Sequence, residues 1–469
     1  MIYTYYLVAV VFIGLILLLR SKNLMHGAVY IFNILQIGFV IYLFQNLNYN
    51  KVDYFNYDSI SVLFACVLSV LSFISAVHYQ IYEKHQDELL RTVSIHNAVY
   101  IGFNAALMGV YLSSRYGMLW AFVEATTLTG ATLIYHDRKA VVLEAVWKYI
   151  FACSISITLA FVGILFLSVA AQEIHLNELT FTLLKQNALL MNPIWLKAAF
   201  VFILVGFSVK MGAIPMFNVD IDAKDVAPSP ISGLFSSVVL NAGFLGIYRF
   251  YQAFSNTSIG PWMNHVLLIA GISTLFFAAA YLMRIKNCKR MYAYSSMEHA
   301  GLVLIALTLG KVGVLAAFLH LTFNAILKSG LFFQVGQMIR INGGNKTEIR
   351  GYFYQNPIGG LILLFGSIGI MAMPPSGLFI SELLIFKELM LQKHWIIVLL
   401  ILFALIVIFY VLLRAIFKML FYPPNPNNLS NLKGKPIEYV LQIFLLGVSI
   451  YFGIFQNQFL FDLIQAAIK

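Results

Sequence analysis

Apolar blocks of about 20 residues, the length a helix needs to cross a bilayer, follow one another along the chain with short polar connections between them. Read at that length, the pattern predicts about fourteen spans, starting near residues 2, 25, 58, 94, 116, 140, 194, 227, 261, 293, 312, 357, 395 and 437. The sixth, Ala140 to Ala171, is longer than a bilayer needs and must tilt or protrude. Two spans carry helix breakers. In the seventh, WLKAAFVFILVGFSVKMGAIPMFN, Lys210 is followed shortly by Pro215, and a polar turn then leads into the next apolar span. In the twelfth, MPPSG holds Pro374 and Pro375, after which the helix can restart as LFISELLIFKEL. Proline lacks an N–H and clashes with the preceding turn, so both spans should kink or break there. Backbone freed at that depth must line protein or a water-filled cavity. Paired interrupted helices are the usual sequence trace of two structural repeats around a midplane site.

Ionisable residues sit inside these blocks. Glu124 lies in the fifth span, Lys210 in the seventh, His320 and Lys328 in the eleventh and Glu382 in the twelfth. A charge at bilayer depth costs at least about 2.5–3.5 kcal/mol, so function is the default expectation for it, against a buried structural ion pair. His320, Asn324 and Lys328 are spaced i, i+4, i+8 and line one helix face, a relay geometry. Burial disfavours the charged form of a lysine or glutamate and pairing favours it. A Glu124–Lys210 pair is therefore expected to gate proton exchange, with Lys328 and Glu382 as a second half. Secondary candidates are Glu144 and Lys148 early in the sixth span and His299 early in the tenth. The first two also fit a structural i, i+4 pair, and His299 also fits a packing residue. Lys197 is expected to snorkel. Asp220, Asp222 and Asp225 precede a helix and are read as capping residues rather than metal ligands.

Composition narrows the class. The chain has 469 residues, 61% hydrophobic and 10% charged, and a soluble protein of that length could not hide so much apolar surface. The net charge of +11 does not indicate nucleic-acid binding, because the positives sit in short loops between spans. Loops after odd-numbered spans are the richer ones, with Arg20, Lys22, Arg138, Lys224, Lys289 and Lys433, while the opposite face includes Lys51 and Lys469. By the positive-inside rule, both termini are expected outside. Ile2 to Leu19 reads as a retained span rather than a cleaved signal. Cys66, Cys153 and Cys288 have no CxxC, zinc or Fe–S spacing, so no metal or cofactor is expected on this chain.

KMGAIPMFNVDIDAKDVAPSPISGLFSSVVLNAGFLGIYRF, HLTFNAILKSGLFF and MPPSGLFISELLI resemble the signatures of the antiporter-like proton-translocating membrane subunits of complex I, Mrp antiporters and group 4 hydrogenases. The resemblance runs from about the third span to the thirteenth. It places the family's conserved ionisable positions on Glu124, Lys210, His320, Lys328 and Glu382. LEAVWKYIFACSISI and SSMEHAGL look most like the hydrogenase-4 component F branch. Two departures stand out: Ser236 and Asn241 occupy eighth-span places that are titratable in relatives, and Asn324 replaces a second histidine. The central relay is then expected to use water or His320. The long lateral helix of some relatives is expected to be absent.

The resemblance implies an all-α polytopic membrane protein with two inverted five-helix repeats, spans four to eight and nine to thirteen, each with a broken helix. The expected divisions are 1–93 for the first three spans, 94–252 and 253–421 for the repeats, and 422–469 for the last span and tail. It also implies other integral membrane subunits and a peripheral Fe–S redox module as partners, in a prokaryotic inner membrane. The expected function is proton, or sodium, translocation in a redox-driven complex of the hydrogenase-4, formate hydrogenlyase or NADH dehydrogenase type. The route expected runs from Lys210, modulated by Glu124, through His320 and Lys328 to Glu382. Two rivals stand beside it: a cation/proton antiporter or proton-coupled solute (for example inorganic carbon) uptake subunit without a redox partner, and a scaffold that conducts nothing. Thr126, Thr127 and Thr129 near Glu124 keep sodium open.

Overall fold

The computed structural model describes all residues except 48–53, 86–87, 137–138, 177, 345, 348, 425–433, 456–457 and 469. Lys51, Arg138, Lys433 and Lys469 of the charge pattern lie outside the described residues. Among those described there are helices and no strands, with two isolated bridges, Phe55 to Ser113 and Arg115 to Thr180. Among the described residues, eleven segments are long and apolar enough to cross a membrane. The remaining expected starts, near 2, 293 and 357, fall on two shorter apolar helices, Ile2–Leu18 and Pro357–Ile370, and on the more polar helix Cys288–Leu307. The protein is a polytopic membrane protein.

Contacts divide the chain into two compact units. The first comprises Met1–Pro228 with Val238–Leu267, the second Ser229–Ser237 with Leu268–Ile468. The first holds α1 (Ile2–Leu18), α2 (Lys22–Gln45), α3 (Ser59–Lys84), α4 (Leu90–Leu112), α5 (Tyr116–Ile134), α6 (Ala140–Gln172), α7 (Phe181–Asn187), α8 (Pro193–Met211) and α9 (Asn218–Val226). Next come α10 (Ser229–Leu234), which belongs to the second unit, α11 (Leu240–Phe254) and α12 (Gly260–Leu282), within which the division falls. The second unit continues with α13 (Cys288–Leu307), α14 (Gly310–Ile341), α15 (Tyr352–Gln355), α16 (Pro357–Ile370), α17 (Gly377–Leu391), α18 (Trp395–Phe421), α19 (Pro436–Ile454) and α20 (Gln458–Ile468). The short α20 after the last span was not anticipated from the sequence. Leu399, Phe403, Ile406 and Tyr410 are exposed along α18, a face that suits lipid.

In the first unit α6 and α8 approach closely because glycines face the partner backbone. A Cβ on Gly206 would lie 2.7 Å from the Ser156 carbonyl, and one on Gly163 2.9 Å from that of Ala199. Small residues are how membrane helices gain contact where lipid supplies no hydrophobic drive. This contact lays the α6 side chains Tyr149 and Cys153 against the end of α8. Asp58 caps α3, accepting from the Ser61 N–H at 2.9 Å, and takes a bidentate pair from Arg249 of α11 at 2.6 and 3.0 Å. Burial would raise the Asp58 carboxyl, but the guanidinium outweighs it and holds it down at about 2.

Both expected breaks exist, though the first differs in place and form. α8 ends at Met211 on Gly212, whose left-handed φ of 72° closes the helix before Pro215 is reached. Lys210 therefore occupies the last turn of α8, not the middle of a long helix. The "polar turn" is itself helical, α9, because Asp220 and Lys224 at i, i+4 pair while both are buried. Asp220 thus does not cap α9, whose N-cap is Phe217, and Lys224 is not a loop charge. In the second break, α16 ends at Ile370, and Ser376 restarts the helix by capping Phe379 N–H at 3.4 Å. The Ile214–Pro215 and Pro374–Pro375 bonds are both cis.

Candidate functional sites

In the first unit the buried Lys210 ammonium donates to the Tyr149 hydroxyl at 2.8 Å and lies 4.9 Å from that ring's centroid. Tyr149 is its only hydrogen-bond partner among the described residues. The C-terminal end of a helix carries partial negative charge from unpaired carbonyls, which helps hold a cation in the last turn of α8. Glu124 of α5, half-buried, makes no ion pair with Lys210 among the described residues. It accepts from the Ser154 hydroxyl of α6 at 2.9 Å, and its other oxygen is buried without a partner. The charges of Glu124 and Asp220 nevertheless reach Lys210. The expected Glu124–Lys210 pairing is thus replaced here by two separate contacts, each made through α6.

The secondary candidates Glu144 and Lys148 also lie on α6 but on its outward face. They form an i, i+4 pair at 2.5 Å with side chains 65% and 57% exposed, apart from Lys210.

The second unit brings more together. Lys328, fully buried in α14, donates to the Tyr292 carbonyl at 2.9 Å and to the Ser295 hydroxyl, both on α13. Glu298 of α13 is buried, leaves one oxygen unpartnered, and feels the Lys328 charge. Hydropathy places His299, and Glu298 beside it, early in the tenth span. They sit at the middle of α13, because the polar residues Cys288, Lys289 and Arg290 are its first turn, capped by Asn287. That cap was the signal a hydropathy reading missed.

A hydrogen-bonded chain runs through the histidines. The Ser381 hydroxyl donates to the Leu378 carbonyl at 2.8 Å, so its oxygen must accept from His320 Nδ1–H at 3.0 Å. His320 Nε2 then carries a lone pair and accepts from His299 Nδ1–H at 3.0 Å. His299 is thus a hydrogen-bonded member of this chain. Glu382, half-buried in the second turn of α17, makes no hydrogen bond among the described residues. With Glu298, Met371 and Leu402 it lines a cavity of about 210 Å³.

Pro215, Pro374 and Pro375 all lie at exposed positions in the breaks. Asn324, on the His320–Lys328 face, is fully buried, and neither of its amide atoms has a partner among the described residues; the same holds for Asn241 in the first unit. Ser236 belongs to a π-helical turn, Phe235–Val239, a distortion often found at functional positions. The hydroxyls of Thr126, Thr127 and Thr129 donate to carbonyls of their own helix.

Residues 113–408 match the family model described as NADH:quinone oxidoreductase/Mrp antiporter, transmembrane. The chain is 29% identical over 351 residues to a hydrogenase-4 component F homolog of Methylacidiphilum infernorum, covering 72% of each. It is 25% identical over 402 residues to NADH-quinone oxidoreductase subunit N of Chlorobium chlorochromatii, covering 82% of this chain and 77% of that one. A chain in the structure of a membrane-bound sulfane sulfur reductase, an archaeal respiratory membrane complex, superimposes with a TM-score of 0.88 at 24% identity, over 100% of this chain and 96% of that one. The fold is that of an antiporter-like membrane subunit.

Proposed function

This chain belongs to the NADH:quinone oxidoreductase/Mrp antiporter family, and from that premise we propose that it translocates protons as one membrane subunit of a redox-driven complex of the hydrogenase-4, formate hydrogenlyase or NADH dehydrogenase type. One observation carries the proposal. In the contacts described, both buried lysines, Lys210 and Lys328, donate to neutral oxygens, a tyrosine hydroxyl in one case and a carbonyl and serine in the other. A lysine serving structure alone would be expected to sit against a carboxylate. Here Glu124 and Glu298 stand off, close enough to bias each lysine by Coulomb interaction and not bonded to it. An ammonium with neutral partners can release its proton and leave those partners satisfied by the free amine.

In this reading Glu124 modulates Lys210 in the first unit. In the second, Lys328, His299 and His320 pass protons toward Glu382 and its cavity. The unpartnered amides of Asn241 and Asn324 fit hydrated stretches of the path, since buried polar groups without protein partners are where ordered water is held. The repeats are assigned to 94–252 and 253–421, in inverted arrangement, flanked by 1–93 and 422–469. Other membrane subunits, a peripheral Fe–S module, and a prokaryotic plasma membrane with both termini outside complete the proposal.

The test is Lys210→Met in the assembled complex. Redox-driven proton uptake into inverted vesicles should vanish while the complex still purifies; wild-type uptake would overturn the relay. The proteins that co-purify with the chain distinguish the redox-driven reading from an antiporter or uptake system.

A further inference from the structure

His299 on α13, His320 on α14 and Glu382 on α17 each offer one ligand atom, and these atoms lie within 4.8 Å of one another. We propose that these three residues form a binding site for a late first-row divalent cation of the zinc type, and that its occupancy interrupts the proton path of the second unit. The clause about interruption rests on the relay proposed above; the site itself does not.

The donor set argues for the metal class. Two imidazoles and one carboxylate suit zinc, whereas magnesium and calcium demand oxygen shells. The distances are nearly right already. Two nitrogens on one tetrahedral zinc at about 2.0–2.1 Å lie about 3.3 Å apart, and His299 Nδ1 and His320 Nε2 are 3.0 Å apart. The third donor is free to turn, because Glu382 has no hydrogen-bond partner among the described residues and borders the cavity it shares with Glu298. Two carboxylates against the single Lys328 ammonium leave the surroundings suited to a dication.

The protons balance. His320 keeps its Nδ1 proton on Ser381 and presents the Nε2 lone pair to the metal without change. His299 gives up its Nδ1 proton and takes one on Nε2, a buried atom with no present partner, so the ring stays neutral while Nδ1 becomes a ligand. The metal then stands where the two rings shared a proton. Ser381 orients the His320 ring from behind, the usual place of a hydrogen bond that tunes a metal-bound histidine. The ligands come from three helices far apart in sequence, which is why no spacing motif announced them and no metal was expected.

The experiment uses the 469-residue chain in mild detergent with Zn2+ alone as the probe. Affinity is read by competition with a chromophoric chelator and coordination by zinc-edge X-ray absorption. One zinc per chain with imidazole and oxygen ligation is expected, unaffected by Mg2+. Ser381→Ala, which removes no ligand, should weaken binding by about 10–100-fold, and His320→Gln or Glu382→Gln by more. Glu144→Gln, on the outer face of α6, should bind as wild type. No zinc binding in the wild type, or binding that survives both ligand substitutions, overturns the site. If zinc binds as expected but proton uptake by the complex continues, the site stands and its place on the proton path is what fails.

Discussion

Lys210 ends a broken helix and Lys328 lies well inside the unbroken 32-residue α14, and their surroundings differ accordingly. At the end of α8 the unpaired carbonyls already favour a cation, and a single hydroxyl, that of Tyr149, completes the site. Inside α14 every backbone carbonyl is spent on the helix. Lys328 instead borrows a carbonyl and a hydroxyl from α13. The carboxylates differ too: among the described residues Glu124 accepts one hydrogen bond, from Ser154, while no hydrogen bond to Glu298 or Glu382 is seen. Placing an ammonium at depth therefore has two solutions in one chain, one through helix termination and one through a neighbouring helix. The first depends on how tightly α6 and α8 pack, the second on redundancy of partners.

The sharpest way to break the comparison is at the α6–α8 contact. Gly206→Val would push a branched side chain into the Ser156 carbonyl, where even a Cβ is 2.7 Å away. Overpacking of this kind costs about 1–3 kcal/mol or more, and here it also moves Tyr149 from Lys210. The complex should lose thermal stability in detergent by fluorescence-detected melting, and proton uptake should disappear. Unchanged melting and uptake would mean that the close approach does not position Lys210.

Tyr149→Phe comes next. It keeps the ring and removes the hydroxyl, leaving a buried ammonium without a hydrogen-bond partner. The penalty for such a group is about 1–3 kcal/mol and falls on the charged ammonium rather than on the neutral amine, so proton uptake should fall by about tenfold or more, while melting changes less than in Gly206→Val. Ser295→Ala should do less, about threefold, because the Tyr292 carbonyl still holds Lys328. Equal losses in the two variants would erase the distinction between a single partner and a redundant one.

What could be read beforehand follows the range of the interaction. Lys210, Lys328 and Glu382 were visible because a charge inside an apolar block is a local anomaly, and the breaks because proline acts on its own turn. Tyr149, Ser154, Ser295 and Ser381 carried no such mark; each matters only through a helix distant in sequence. Glu298 and His299 were placed too near the membrane face because the polar first turn of α13 reads as loop until its Asn287 cap is counted. Lys224 reads as a loop charge by hydropathy, although its i, i+4 spacing from Asp220 lets the two neutralise each other inside a helix. Gly212 was overshadowed by Pro215, yet its left-handed conformation is what stops α8.

The smallest effect belongs to the residues that most resemble a relay in sequence and least in structure. Glu144 and Lys148 have the right chemistry and lie on the same helix as Tyr149. The helical turn separates them: Tyr149 faces Lys210, whereas Glu144 and Lys148 point outward, largely exposed and paired with each other. An exposed pair of this kind contributes little to stability, and it lies on the face of α6 opposite the one that meets the buried lysine. Replacing both by glutamine should leave proton uptake, its pH profile and melting unchanged. A selective loss of uptake with an intact complex would put this outer face of α6 on the proton path and end the reading that α6 serves Lys210 from one side only.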